Sequence, residues 1–269
     1  MVEGIAIFAA LRWECTPVLR ALHSVRRQHL GPLTAWRGVL GAHEVWVVKT
    51  GIGVARATAA ARMVVSETRC RFFVSTGCAG ALAPQLRPGD LVIATAVVES
   101  AGGQRLAIDR GLHEAASGIA QRAALRTTSG AVLCSPTMLA TAAAKHAAAA
   151  EFGTVAVEME GTGMATCAAH EGIPFLSVRT ILDTADTDLR HSGIFIDPHT
   201  GAVKPLALAA YLATHPAAVG DLLGMQRMMQ AAQRSLEQFF KAWLPTLDSQ
   251  PSNGSARSEA DAISPAHRH

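Results

Sequence analysis

The 269-residue chain has little charge. Asp, Glu, Lys and Arg make up 17% of it, and the net charge is only +3. It has no Lys/Arg run and no basic stripe interleaved with aromatics. That excludes a nucleic-acid partner recognised by a strong positive field. No uncharged apolar run reaches the roughly 20 residues that a membrane-spanning helix needs, so stable membrane insertion is not expected. CxxC spacing is absent too. The five cysteines, Cys15, Cys70, Cys78, Cys134 and Cys167, are scattered and odd in number. They argue against a disulfide framework or a zinc site, and they predict reduced, buried thiols in a cytoplasmic compartment. The start, "MVEGIAIFAALRWE", lacks the basic stretch, apolar core and small-residue cleavage site of a secretory leader. Neither G-x-G-x-x-G opening a helix nor G-x-x-x-x-G-K-[ST] occurs, so dinucleotide and P-loop readings are poor. There are no internal repeats.

Hydrophobic residues, by contrast, make up 49% of the chain. A chain of this length and composition can bury a sizeable core. "GIAIFAAL" reads as a core strand, and "TAWRGVL" with "HEVWVVKTG" as a hairpin. "VARATAAARMVVSE" has helical spacing. "RFFVSTG" and "DLVIATAVVE" read as strands, "GLHEAASGIAQRAAL" as a helix and "TTSGAVLCS" as a strand. "TMLATAAAKHAAAAEFG" reads as a helix closed by Gly153. "TVAVEME", "GTGMATCAAHEG" and "FLSVRTILDTAD" continue as strand, helix and strand. This alternation predicts an α/β domain with a central mixed, mostly parallel sheet flanked by helices. Beyond Asp186, "LALAAYLATHP" and "AAVGDLLGMQRMMQAAQRSLEQFFKAWL" predict a C-terminal helical extension. Leu222, Met225, Met229 and Leu236 are helically spaced there, and the extension is expected to pack on the sheet. Residues 248–269 are polar and rich in Pro and Ser, which predicts a disordered tail.

Carboxylates stand at the ends of very apolar runs, at Glu14, Glu158, Glu160, Asp183 and Asp186. Acidic side chains are seldom buried without partners. In an open α/β sheet, ligands bind beyond the carboxyl ends of the strands. Glu14, "TGIGVAR", "STGCAGAL", "CSPT", Glu158, Glu160 and Asp183 all fall at such ends. Each also has a plain structural reading. Glu14 suits a helix start, Asp183 can bond amides in its own turn, and the glycine segments can be simple turns.

Taken together, "AALRWE", "KTGIGVARA", "STGCAGAL…PGDLVIAT", "VAVEMEGTGMA" and "VRTILDTAD" resemble the nucleoside phosphorylase/nucleosidase superfamily. That superfamily includes methylthioadenosine/S-adenosylhomocysteine nucleosidases and purine nucleoside phosphorylases. The resemblance runs from about Ile5 to Asp186. It implies one phosphorylase-like domain over residues 1–247, with 187–247 as its helical extension. The implied activity is cleavage of the C1′–N9 bond of a purine nucleoside through an oxocarbenium-like transition state. Asp183 would protonate the purine at N7. Glu160 would accept the ribose hydroxyls, with Met159 beneath the sugar. Glu14 would activate water. Glu158, Cys78, Ala79, Gly80, Met138 and Leu139 would line the substrate site, and Gly51, Gly53 and Arg56 the region of the water or phosphate. Water is favoured by Glu14 and by the absence of an arginine at Ser75 or Thr76, where phosphorylases clamp phosphate. Arg56 or Arg12 is the substitute phosphate ligand to consider. No cofactor or metal is implied. A homodimer or larger assembly is. The extension resembles that of hopanoid-associated phosphorylases, which are thought to release adenine from adenosylhopane; this would make the 5′ substituent bulky and apolar. The alternative is a non-catalytic nucleoside-binding module on the same fold.

Overall fold

A computed structural model describes residues 4–41, 43–188 and 218–247. Three apolar strands form its centre. β1 (Gly4–Ala9) lies between β4 (His43–Lys49) and β5 (Cys70–Ala81), parallel to both. Every residue of β1 is buried, as a strand covered on both faces requires. β3 (Leu33–Leu40) and β2 (His23–Leu30) extend this side as an antiparallel meander. β2 is the edge, and its exposed Arg26 and Arg27 keep it from pairing further.

On the other side the sheet does not stay open. β10 (Phe175–Asp183) runs parallel to β5 and antiparallel to β6 (Leu91–Glu99). β6 pairs with β8 (Thr127–Cys134), β8 with β9 (Ala156–Glu158), and β9 returns to β5 at Gly80 and Ala81. These five strands close a ring, with the short β7 (Arg105–Ala107) attached to β6. β5 is 12 residues long because it serves both the open half and the ring. "STGCAG", expected at the end of a strand and beyond it, lies wholly within β5.

Helices cover both faces. α1 (Arg12–Leu19) follows β1, and α2 (Val54–Glu67) packs against α5 (Gly161–Glu171). That contact is close. A Cβ at Gly163 would lie 2.6 Å from both Thr58 Oγ1 and the Val54 carbonyl. α3 (Arg110–Arg122) starts at Asp109, whose side chain accepts from the Leu112 amide. α4 (Ala142–Phe152) is capped by Thr141, which accepts from Ala144 N, and ends at left-handed Gly153.

The described part of the C-terminal extension is α6 (Ala218–Trp243) and a 3-10 turn (Leu244–Leu247). Leu236, Phe239, Phe240, Trp243, Leu244 and Leu247 join Ile5, Ile7, Phe72 and Val178 in the main core. "LALAAYLATHP" and the tail lie outside the described residues. Among the described residues, no helix is long and apolar enough to cross a membrane.

Candidate active site

One cavity of about 230 Å³ opens at the carboxyl ends of β1, β5, β9 and β10. It is lined by Glu14, Cys78, Ala79, Gly80, Met138, Leu139, Glu158, Met159, Glu160 and Asp183, each of which the sequence had pointed to. Lys145, Trp13, Ile52 and Leu182 also line it and had not been singled out. Met138 is 51% exposed and sits at the mouth.

Glu14 stands in the first turn of α1 and is buried. Its Oε2 accepts from the Leu11 amide at 2.9 Å, so it does serve a helix start. Its Oε1 accepts from the Cys78 amide at 2.8 Å. One carboxylate thus ties α1 to β5 and faces the cavity. Burial raises its pKa above the usual carboxylate value, against the pull of these amides and of Arg179. The backbone at Gly77 (φ +142°) presents the Cys78 amide to it. A Cβ at Gly77 would come 2.8 Å from Glu14 Oε1 and 3.1 Å from Arg179 Nη1, so glycine keeps this space open.

Glu158 and Arg179 form a buried pair beneath the cavity. Arg179 Nη2 donates to Glu158 Oε2 and to Ser75 Oγ, both at 2.5 Å, and Nη1 donates to the Thr76 carbonyl at 3.2 Å. Glu158 also accepts from the amides of Glu160 and Gly161 at the start of α5, where helix-end amides favour an anion. This arrangement fixes the turn that aims Glu160 into the cavity. Arg179 appeared only as a letter of the "VRTILDTAD" motif. The signal that marks it is a lone charge inside an apolar strand, which must find carboxylate partners.

Glu160 Oε1 accepts from the Gly53 amide at 3.0 Å. Of the "GIG" segment, then, Gly53 supports a cavity carboxylate, and Ile52 is the residue that reaches the lining. Arg56 is exposed on α2 beside Gly51 and does not line the cavity. Arg12 lies over the Trp36 ring, 5.8 Å from its centroid. Neither arginine is among the residues that line the cavity.

Burial, then the neighbouring Glu158, pushes the Glu160 pKa up to about 7. The folded chain therefore holds a proton that the unfolded chain has released between pH of about 4.5 and 7. Stability from this group falls as pH rises through that window and levels off above it. In Glu160→Gln there is no proton to lose. Its unfolding free energy is expected to fall less than that of the wild type between pH 5 and 8, by a difference on the order of 1–3 kcal/mol. Parallel slopes would refute the burial effect.

Asp183 ends β10 and pairs with Lys145, which comes from α4 and is 1% exposed. Lys145 Nζ also donates to the carbonyls of Thr184 at 2.8 Å and Thr187 at 3.0 Å. Burial raises the Asp183 pKa, and Lys145 opposes the rise. Asp183 is therefore not spent on amides of its own turn. Cys78 stays a thiol, because burial and then Glu14 push its pKa well up. The five cysteines are free, with Cys15, Cys134 and Cys167 buried and Cys70 and Cys78 half-buried. Among the described residues no three His, Cys, Asp or Glu side chains converge as a metal site would need.

Residues 4–203 match the family model described as Phosphorylase superfamily, and the chain belongs to that family. Among curated relatives, the 5′-methylthioadenosine/S-adenosylhomocysteine nucleosidase of Mycobacterium bovis is 27% identical over 242 residues, covering 76% of this chain and 93% of that protein. Among solved structures, the corresponding nucleosidase of Neisseria meningitidis in complex with methylthio-immucillin-A matches with a TM-score of 0.72 at 20% identity, over 91% of this chain and all of that one. Futalosine hydrolase of Helicobacter pylori matches with a TM-score of 0.68 at 20% identity, over 89% of this chain and 97% of that one. Likeness at this identity establishes the shared fold.

Proposed function

We propose that this chain hydrolyses the N-glycosidic bond of a 5′-substituted adenosine-type nucleoside and releases adenine. The observation that carries the reading is the meeting of Asp183, Glu160 and Glu14 in one cavity. Gly80 lies against Asp183 and Gly77 against Glu14. Three residues along β5 separate acid from base by roughly 10 Å, at about 3.3 Å per residue. That leaves room for an imidazole ring, the anomeric carbon and a water.

The chemistry divides as the residues do. As the C1′–N9 bond breaks, its electron pair moves onto the purine, which is a poor leaving group as an anion. Asp183 supplies the proton at N7. Positive charge develops on the ribose. Glu160, ionised above its pKa of about 7 and accepting from the sugar hydroxyls, stabilises that charge. Glu14 takes a proton from water as the water's oxygen attacks C1′. Its raised pKa makes it the stronger base. Acid on one side and base on the other is the usual division in glycoside cleavage.

Water is preferred to phosphate on charge. Lys145 is the cation among the described residues lining the cavity, and Asp183 already holds it. Arg179 is engaged by Glu158, Ser75 and Thr76. A phosphate dianion would meet the Glu14 carboxylate instead of a clamp.

The test is to incubate the full chain with methylthioadenosine, adenosylhomocysteine and adenosylhopane, with and without phosphate, and to follow adenine and the sugar by chromatography. Free sugar, formed at a rate independent of phosphate, is expected. Sugar 1-phosphate would replace water by phosphate as the nucleophile. Tight binding of all three without cleavage would make the protein a nucleoside-binding module. The compound cleaved fastest identifies the 5′ substituent. Leu236, Phe239, Phe240 and Trp243 of α6 lie in the main core, and none of the described residues of α6 lines the cavity, so a hopanoid-sized group would have to leave through the mouth.

A further inference from the structure

We infer that Lys145 is the proton store of the site: its ammonium hands a proton to the Asp183 carboxylate as the purine takes one from it. The inference rests on the nucleosidase reading above and names the origin of the proton which that reading requires.

Three observations carry it. Lys145 is a buried lysine whose Nζ meets Asp183 and the carbonyls of Thr184 and Thr187, so three acceptors fix its position. Both Lys145 and Asp183 line the cavity, so a purine bound there would cover the pair. The partner of the acid is moreover a cation with protons to give. An ammonium pairs with a carboxylate, so in the free protein the shared proton rests on nitrogen. Burial raises the cost of that charge separation and favours the neutral pair of amine and carboxylic acid once a ligand excludes water. In the step, a Nζ–H bond breaks and a carboxyl O–H bond forms. The carboxyl proton then passes to N7 while the glycosidic electron pair moves onto the ring. Lys145 is left a neutral amine and regains a proton from solvent after adenine departs.

Other charged groups face the pair without replacing it. Cys78 on β5 is held as a thiol by burial. Glu14, Glu158 and Glu160 share the Arg179 guanidinium as their counter-charge. His146 on α4 pairs with Asp186 at the surface, at 3.0 Å. Asp188 accepts from the Ala142 amide at the start of α4.

The experiment measures kcat and KM against pH for the wild type, Lys145→Arg and Lys145→Met, using the nucleoside cleaved fastest. Arginine keeps the charge and can keep the carboxylate contact, yet does not surrender a proton. Lys145→Arg is therefore expected to lose about 100-fold in kcat with KM little changed. In Lys145→Met, Asp183 must carry its own proton, so the basic limb of the kcat profile should move to lower pH. Wild-type kcat in Lys145→Arg, or a basic limb in Lys145→Met that stays or moves to higher pH as loss of the opposing ammonium lets Asp183 rise, overturns the inference and leaves a counter-ion. Should either variant fail to fold, infrared difference spectra of the wild type against Asp183→Asn decide. A protonated Asp183 carboxyl in the free wild type at neutral pH overturns the inference, and an ionised one supports it. A wild type that cleaves no nucleoside sinks the nucleosidase reading and this inference together. Wild-type turnover with an indifferent Lys145→Arg sinks this one alone.

Discussion

Asp183→Asn is expected to lower kcat by about 10²–10⁴-fold while nucleoside binding changes little. An amide can still donate to N7, so recognition survives. It cannot transfer a proton, so the leaving purine stays anionic in the transition state. The same substitution should also cost stability, for a reason unrelated to catalysis. Lys145 would keep the Thr184 and Thr187 carbonyls but lose the carboxylate it pairs with. Removing one partner of a buried pair typically costs about 3–5 kcal/mol. For a chain of this size that corresponds to a fall of roughly 5–10 °C in the thermal midpoint. Adding Lys145→Met takes the stranded ammonium away. The double variant should regain most of the lost midpoint and none of the lost turnover, because lysine and aspartate couple as neighbours in a cycle. Melting curves and steady-state rates on the four proteins read the two effects separately. Near-normal turnover in Asp183→Asn would remove Asp183 as the acid.

The parts of this fold that were legible in sequence are those where burial dictates composition. β1, β4, β6 and β10 are nearly continuous apolar runs because helices or neighbouring strands cover both faces. β2, "HSVRRQHL", was not legible. It is an edge with one exposed side after another, and nothing apolar marks it. α1 was legible only at Glu14, which suits a helix start; its eight residues include Pro17 and lack a clear apolar stripe. Ring closure could not be read at all. It depends on β9 pairing back onto the last residues of β5, and "GCAGA" has the composition of a turn. The carboxylates of the site were legible because charge at the end of an apolar run is costly and demands a cause. The two buried cations were not. Lys145 sits in "ATAAAKHAAAAEF", where alanine looks equally suited to either face. The usable signal was positional. Its neighbours three and four residues away are Ala142, Ala148, Thr141 and Ala149, so it belongs to the packed side, while His146 points outward to Asp186.

Glu14→Gln is the substitution that separates the two nucleophiles. In the wild type, Oε1 and Oε2 each accept from a backbone amide, of Cys78 and Leu11. Glutamine offers one acceptor and one NH₂, so one of those amides would face a donor, at a cost of about 1–3 kcal/mol. Burial acts in the opposite sense. It already disfavours the ionised form of Glu14, so a neutral side chain of the same shape relieves that penalty. The two effects offset, and the variant is expected to stay folded with a midpoint close to that of the wild type. Its chemistry is not offset. Water needs a base to attack C1′, and without one hydrolysis should fall by about 10²–10⁴-fold. A phosphate dianion needs no base, and removal of the Glu14 charge would admit it more readily. If water is the nucleophile, Glu14→Gln loses turnover with or without phosphate. If phosphate is, the variant keeps its rate or gains, and sugar 1-phosphate accumulates. Rates measured across a phosphate series in the wild type and the variant therefore assign the attacking group from the sign of one change.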